Sequence, residues 1–445
     1  MTTHARSIRC LSAFLFALSL VGCGMKTDFY REVEKNLAVH NYAVAMAGLQ
    51  DNKEAFGDNN SVLFNLEMGT LLHYSFRFDE STKYFLAAEK EMEELYTKSV
   101  TTEAAAFALN DNMLPYEGED FEKVFVNLFA ALNFAQAGDI EGALVEARKV
   151  DTKLNQFSRQ YEGKNVYHQD AFVRYVMGVL YEAGGEINDA FISYRKAYEG
   201  YKEYAAQFKT PCPSYLKTDL LRTATQLGFD DERKQFEKEF SLKYTKPKAK
   251  EGSLFFVVHS GRGPIKEENK IKVSIPDADG VLHTFTVALP KFKARERIQV
   301  RYEVGISGKG ITATKMDAEL GEYVTEIARK SLDDRLGLIY LKSGGRALLK
   351  FLASEAAKKE LKKEDDELGN FFKSLAVDLA VGATEAADIR TWRTLPNQVF
   401  IVRANLPAGT YSMTLTGHNP YRDLLSDMIT VKAGKAQIRM FVDVN

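Results

Sequence analysis

Two segments between Phe121 and Tyr201 superimpose on each other with an offset of 47 residues, and no other feature of the chain restricts its fold as strongly. Ala131, Phe134, Ala143, Ala147 and Val150 in the first correspond to Gly178, Tyr181, Ala190, Tyr194 and Ala197 in the second. The turns correspond as well, Gly138-Asp139-Ile140 with Gly185-Glu186-Ile187. Each segment reads as a helix of about a dozen residues closed by a Gly-acidic turn, then a second helix. Small residues stand where the two helices must approach, and aromatic and aliphatic side chains fill the gaps. A hairpin of this kind cannot bury its apolar stripe alone, so neighbouring copies must stack.

Copies extend to both sides. Leu37, Tyr42, Ala45 and Leu49 give a partial one. Gly69, Leu72, Ser81, Phe85 and Ala88 give a fuller one within Ser61 to Met92, and Lys90 to Ala108 continues as helix. Leu216 to Phe240, turning at Gly228-Phe229-Asp230-Asp231, has the pattern of a closing pair that shields the last apolar face. The unit resembles the tetratricopeptide helix-turn-helix. On that resemblance the repeat-packing positions are Gly69, Ala88, Ala131, Ala143, Gly178, Tyr181, Ala190, Tyr194 and Ala197. Asn155 to Tyr167 reads as a spacer that lengthens the usual period of about 34 residues. Asn110 to Glu119 (NDNMLPYEGE) breaks the pattern and reads as a solvated acidic loop; its carboxylates lack calcium-loop spacing.

Tyr244 to Gly252, polar with Pro and Gly, marks a boundary, and beyond it the period becomes two. Leu254 to His259, Lys270 to Ile275, His283 to Leu289, Ile298 to Val304, Val399 to Ala404, Thr410 to Thr416, Met428 to Val431 and Gln437 to Val444 read as strands. Glu319 to Leu341, Gly345 to Lys363 and Phe371 to Ala383 read as helices. The expected architecture is multidomain α + β. A solenoid of helical hairpins spans 31–243 and a linker spans 244–252. A β-sandwich-like domain spans 253–445, with a helical insertion at about 319–385.

The first 22 residues stand apart. Arg6 and Arg9 precede an apolar run of 11, Cys10 to Leu20, which is too short to span a bilayer. Leu20-Val21-Gly22-Cys23 resembles the lipobox of bacterial lipoproteins, which implies cleavage before Cys23 and acylation of its thiol; an ordinary export signal is the other reading. Gly24, where an inner-membrane lipoprotein would carry Asp, implies the outer membrane. The tether is then 23–30. Removing two Arg from 59 basic groups leaves 57 against 61 acids, a net −4, which gives no reason to expect nucleic-acid binding. Cys212 would be the one thiol left unmodified, between Pro211 and Pro213. It has no neighbouring His or basic cluster to activate it, so a buried, inert thiol is expected.

Few motifs carry chemistry. The seven His residues form no H-E-x-x-H pattern, and there is no G-x-S-x-G elbow or P-loop. No cofactor, metal site or catalytic residue is expected, and the reading is of a protein that is not an enzyme. Two stretches remain. In Ser260-Gly261-Arg262-Gly263-Pro264-Ile265-Lys266, successive backbone N–H groups with Arg262 and Lys266 could cradle a phosphate or carboxylate, or the glycines could serve a tight turn. Asp388, Arg390 and Trp392, at the helix-to-strand junction, could lock that junction, an Arg stacking on the indole, or could bind a glycan or lipid headgroup.

With Asn110 to Lys123, Ala143 to Val150, Asp170 to Tyr201, Gly261 to Lys266 and Ala387 to Pro396, the chain resembles an uncharacterised family of bacterial lipoproteins with tetratricopeptide-like repeats. The resemblance implies an outer-membrane lipoprotein in the company of other small envelope lipoproteins, such as relatives of penicillin-binding-protein activators. The expected function is a lipid-anchored scaffold facing the periplasm that holds a protein partner in the groove of its repeats. The alternative is a module for an anionic envelope component.

Overall fold

The structure is a computed structural model. It describes residues 27–108, 111–160, 170–208, 210–246, 251–276, 282–295, 300–337, 339–340, 342–343 and 386–444. The first half is helical: α1 (Tyr30–Ala38), α2 (Tyr42–Asp51), a single turn α3 (Lys53–Phe56), α4 (Ser61–Tyr74), α5 (Phe78–Ala108), α6 (Asp120–Ala137), α7 (Ile140–Gln160), α8 (Ala171–Gly184), α9 (Ile187–Phe208), α10 (Ser214–Leu227) and α11 (Asp230–Phe240). The second half is mainly strands: β1 (Glu251–Ser260), β2 (Ile265–Pro276), β3 (Leu282–Lys293), β4 (Arg301–Gly308), β5 (Thr314–Asp317), β6 (Glu319–Tyr323), β7 (Gln398–Pro407), β8 (Gly409–His418), β9 (Arg422–Val431) and β10 (Ala436–Asp443). Helix α12 (324–337) follows β6.

The helices form antiparallel pairs, and the residue types at the pair contacts explain why. A methyl group on Gly178 would lie 2.4 Å from the ring of Tyr194, sixteen positions later, and one on Gly69 would lie 2.8 Å from Phe85 at the same spacing. Ala131 and Ala147, at that spacing again, are both fully buried. A small residue on the first helix thus admits an aromatic ring from the second. Ala88, Ala143, Tyr181, Ala190 and Ala197 are buried in the same seams. Gly138, Gly185 and Gly228 close α6, α8 and α10 at φ +86°, +86° and +73°, the left-handed conformation that glycine tolerates best. Residues 155–160, the start of the expected spacer, belong to α7, a helix of 21 residues; residues 161–167 lie outside the described residues.

The strands form two four-stranded sheets and a hairpin. One sheet has the order β10-β1-β7-β6 and the other β5-β4-β8-β9, while among the described residues β2 and β3 pair only with each other. Strand β1 runs parallel to β10 and antiparallel to β7. It is buried from Gly252 to Ser260, because both of its faces are covered. Leu254, Phe256 and Val258 point to the second sheet, meeting Val304, Met413 and Ile429. Phe255 and Val257, with Ile401 and Ile438, point the other way and join the core of the helices. Period-two alternation therefore gives one sheet two cores.

One expectation changes here. Glu319 to Tyr323, read as the start of a helix, is strand β6, paired with β7 through a register shift at Leu320/Glu322. The helices expected over Gly345 to Lys363 and Phe371 to Ala383 lie outside the described residues, as do most of the insertion and Cys23.

Candidate functional site

The polar chemistry of the molecule is concentrated where the helices meet the strands. Mostly the first helix of each pair reaches across. Tyr74 of α4 donates to the Thr394 carbonyl at 3.0 Å, Gln136 of α6 to that of Ile438 at 2.9 Å, and Tyr215 of α10 to that of Asp317 at 2.9 Å. Tyr201 of α9 donates to the Gly321 carbonyl at 2.8 Å. Midway, His73 of α4 and His259 of β1 stack with centroids 5.3 Å apart. Burial pushes His73 down to about 4 and His259 well below the usual histidine range, so both rings are neutral.

At one end, residues 386–397 lie as an extended tape against α4 and α6. Trp392 is 1% exposed and contacts Phe85 and Phe129, with ring centroids at 5.7 and 5.5 Å. Its indole N–H donates to Thr70 Oγ1 at 2.7 Å. Two buried carboxylates hold the tape's backbone. Glu67 accepts the N–H groups of Arg393 and Thr394 at 2.9 and 3.1 Å, and Glu122 accepts that of Trp392 at 2.8 Å. Burial raises Glu67 to about 7 although several donors face it, and burial raises Glu122 also.

Each predicted residue has a place around this tape. Arg390 forms a two-pronged pair with Asp388 at 2.9 and 2.7 Å and donates to the Leu114 and Asp111 carbonyls at 2.9 Å each. Asp388 is held below the usual carboxylate range, burial opposing and Arg390 prevailing. The stacking partner differs from expectation: Arg390 lies over Tyr116 at 5.3 Å and Arg393 over Tyr30 at 4.6 Å, and neither over the indole. Lys266 is buried and paired with Glu119, yet burial still pushes its ammonium below the ordinary lysine range. Arg335 of α12 pairs with the same carboxylate. The 110–119 stretch is thus no solvated loop at its end: Glu119 and Asp120 are 6% and 5% exposed.

The Gly-rich turn is not an anion cradle. The Gly261 N–H donates to the Asp443 carbonyl at 2.8 Å and that of Gly263 to Leu395 at 2.6 Å. A methyl group on Gly263 would stand 2.9 Å from that same Leu395 oxygen, so glycine is there for close backbone approach. Arg262, alone among the five predicted residues, has no partner among the described residues.

At the other end sits a cluster that sequence reasoning missed. Arg403 of β7 reaches Glu182 of α8 at 2.7 Å and Asp219 of α10 at 3.6 Å. Arg222 pairs with the same two carboxylates at 2.6 and 2.8 Å. Tyr194 donates to Glu182 and Tyr175 to Asp219, each at 2.8 Å. Burial opposes the Glu182 charge, but Arg403 and Arg222 prevail and hold it at about 2. Between the two ends, buried Glu322 of β6 shares a hydrogen bond with buried Asp170, and burial with that neighbouring charge raises it well above the usual range.

Burial pushes the Cys212 thiol up to about 12, which leaves it protonated. Among the described residues no cluster of His, Cys, Asp or Glu has the arrangement of a metal site, and no helix is long and apolar enough to cross a membrane. Comparison with protein-family profiles, curated proteins and solved structures finds no match to this chain.

Proposed function

We propose that the chain is a lipid-anchored scaffold of the bacterial outer membrane, facing the periplasm and acylated at Cys23. Its tetratricopeptide-like hairpins form a short solenoid, and that solenoid receives the chain's own β-sandwich-like domain. The observation that carries the reading is the seam itself. Its carboxylates, guanidinium groups and indole hold each other, as structural groups do, rather than facing a cleft as reacting groups would. The inner face that would offer a groove to a partner is occupied by β1, β7, β10 and the Trp392 tape.

A protein partner in envelope assembly or maintenance then docks elsewhere. An open cavity of about 600 Å³ lies beside the start of α4, lined by helical residues and their turns. Its floor includes Phe56 and Phe64, and its rim carries Asp51, Glu54, Asp58 and Tyr84. Lys53 already lies 5.2 Å above the Phe64 ring, so the ring face accepts a cation, and a basic side chain of a partner fits the acidic rim. A photo-crosslinking residue at exposed Glu54 should trap one discrete envelope protein, and one at buried Thr70 should trap none. Capture at Thr70 alone, or at neither, sinks the reading.

The alternative, an anionic envelope component, has less support. Lys266, Arg390 and Trp392 are buried and already partnered, which leaves Arg262 alone of the predicted residues without a partner among the described residues.

A further inference from the structure

Among the described residues, five helical hairpins turn in the same way. Each turn is closed by the same two backbone bonds. The N–H groups of His40 and Asn41 donate to Leu37 and Asn36, those of Phe76 and Arg77 to His73 and Leu72, and those of Gly138 and Asp139 to Ala135 and Phe134, all at 2.8–3.2 Å. The turns at Gly185 and Gly228 repeat the pattern. This closure needs one left-handed residue. Glycine supplies it in the last three turns, but in the first two it is His40 at φ +58° and Phe76 at φ +59°. A bulky side chain rarely adopts that conformation.

The same two turns hold apolar side chains in water. Val39 is 68% exposed and Phe76 56%. Tyr42, which opens α2, meets Tyr74, which closes α4, with ring centroids 6.3 Å apart, so these turns lie side by side. The later turns present carboxylates instead, Asp139, Glu186, Asp230 and Asp231. A strained backbone and an exposed ring both oppose stability, so Phe76 points to a use outside the fold.

The chain before α1 indicates what covers this edge. Tyr30 follows Cys23 by seven residues, a reach of at most about 25 Å. Helix α1, of nine residues, is about 13 Å long, so an anchor at Cys23 lets either end of the first hairpins meet a bilayer. At the end where α1 begins, Phe29 packs on Phe56 of the cavity, whose rim carries Asp51, Glu54 and Asp58 against Lys53. A lipid surface disfavours burial of those carboxylates. At the other end Glu80 is paired with Arg77, and Val39 and Phe76 stand foremost.

We propose that the edge formed by Val39, His40 and Phe76 is a contact surface for the lipid bilayer, with the Phe76 ring set at headgroup depth. The proposal rests on reading Cys23 as the anchor. The cavity beside α4 then faces away from the membrane, where a partner can reach it.

The test uses the full chain with Cys10→Ser and Cys212→Ser, coupled through Cys23 to a maleimide lipid in phosphatidylcholine vesicles. Buried Trp392 is beyond the reach of lipid and serves as the blank. Brominated phosphatidylcholine should remove most of the emission added by Phe76→Trp or Val39→Trp, and little of that added by Glu54→Trp or Asp139→Trp. Phe76→Asn tolerates the left-handed conformation. It should keep the wild-type Tm and, combined with Val39→Trp, should weaken the quenching. No quenching at Phe76→Trp, or equal quenching at all four positions, overturns the surface. A Tm of Phe76→Asn well below the wild type would assign the ring to the fold and overturn its role at the bilayer. Emission of uncoupled Phe76→Trp that shifts to the blue as the chain is concentrated would place a second copy on this edge, and overturn the bilayer likewise. Absence of palmitate from the wild-type chain in cells would remove the anchor alone, since the coupled chain reads the edge directly.

Discussion

The two ends of the seam solve the same problem in opposite ways. At the Trp392 end, Glu67 and Glu122 accept backbone amides, and burial raises both carboxyls. At the Arg403 end, Glu182 and Asp219 face two guanidinium groups, and Glu182 is held at about 2 although burial opposes it. All four carboxylates are buried, so depth does not explain the difference. Guanidinium groups in direct contact outweigh desolvation at Glu182, whereas at Glu67 and Glu122 amide and hydroxyl donors, with the charges of Arg393 and Lys266, do not. At one end Glu67 and Glu122 therefore favour the protonated form, and at the other Glu182 depends on staying charged.

The largest expected effect breaks the charged end. Arg403→Met keeps most of the side-chain volume but leaves Glu182 and Asp219 with a single counter-charge. It should cost about 3–5 kcal/mol in denaturant unfolding; a cost under about 1 kcal/mol would show that Arg403 is dispensable there. The next test sharpens the contrast through pH. The folded pKa of Glu67 is raised from its ordinary 4.5 to about 7. The folded state therefore binds the extra proton, and the contribution is full below about 4.5 and lost as pH rises through 7. Glu67→Gln, an isostere of the protonated form, should match the wild type near pH 4.5. It should gain on the wild type by up to about 3 kcal/mol above pH 7. The difference between the two proteins cancels the opposite trend of His73, whose folded pKa of about 4 removes stability as pH falls below 6.5. A pH-independent difference would refute the assignment. Trp392→Phe keeps an aromatic ring and deletes the N–H bond to Thr70, for about 1–2 kcal/mol in the same unfolding experiment. The smallest effect lies outside the seam. Gly138, at φ +86° with open space around it, should cost about 1 kcal/mol as Gly138→Ala, from the backbone alone. That cost should not vary with pH.

Much of the helical half was legible because its signals are local. Glycines at Gly138, Gly185 and Gly228 and the small-to-aromatic spacing of Gly178 and Tyr194 depend on neighbours in one hairpin. The strands were legible as strands, but not as a layer with two cores. The continuous apolar run Leu254 to Val258 did carry that information, since a strand open to water on one side would alternate. The seam was harder, because its partners are far apart in sequence: Glu67 and Arg393 are separated by 326 positions. A usable signal was still present. Glu67 in SVLFNLEMGTLL and Arg403 in VFIVRANL are lone charges inside apolar runs, and a buried charge needs a partner from another element. Glu319 to Tyr323 was misread because pairing with β7, a long-range contact, prevails over local helical pattern.

The central claim is that the helices close over the chain's own strands and tape. The only tryptophan of the sequence lies in that seam, so its fluorescence reports on the claim without a label. The account predicts blue-shifted emission from the native full chain, weak quenching by acrylamide, and loss of both in one transition that coincides with the loss of helical circular dichroism. Emission near that of tryptophan in water, or exposure of Trp392 in a separate transition that leaves the helices intact, would contradict it.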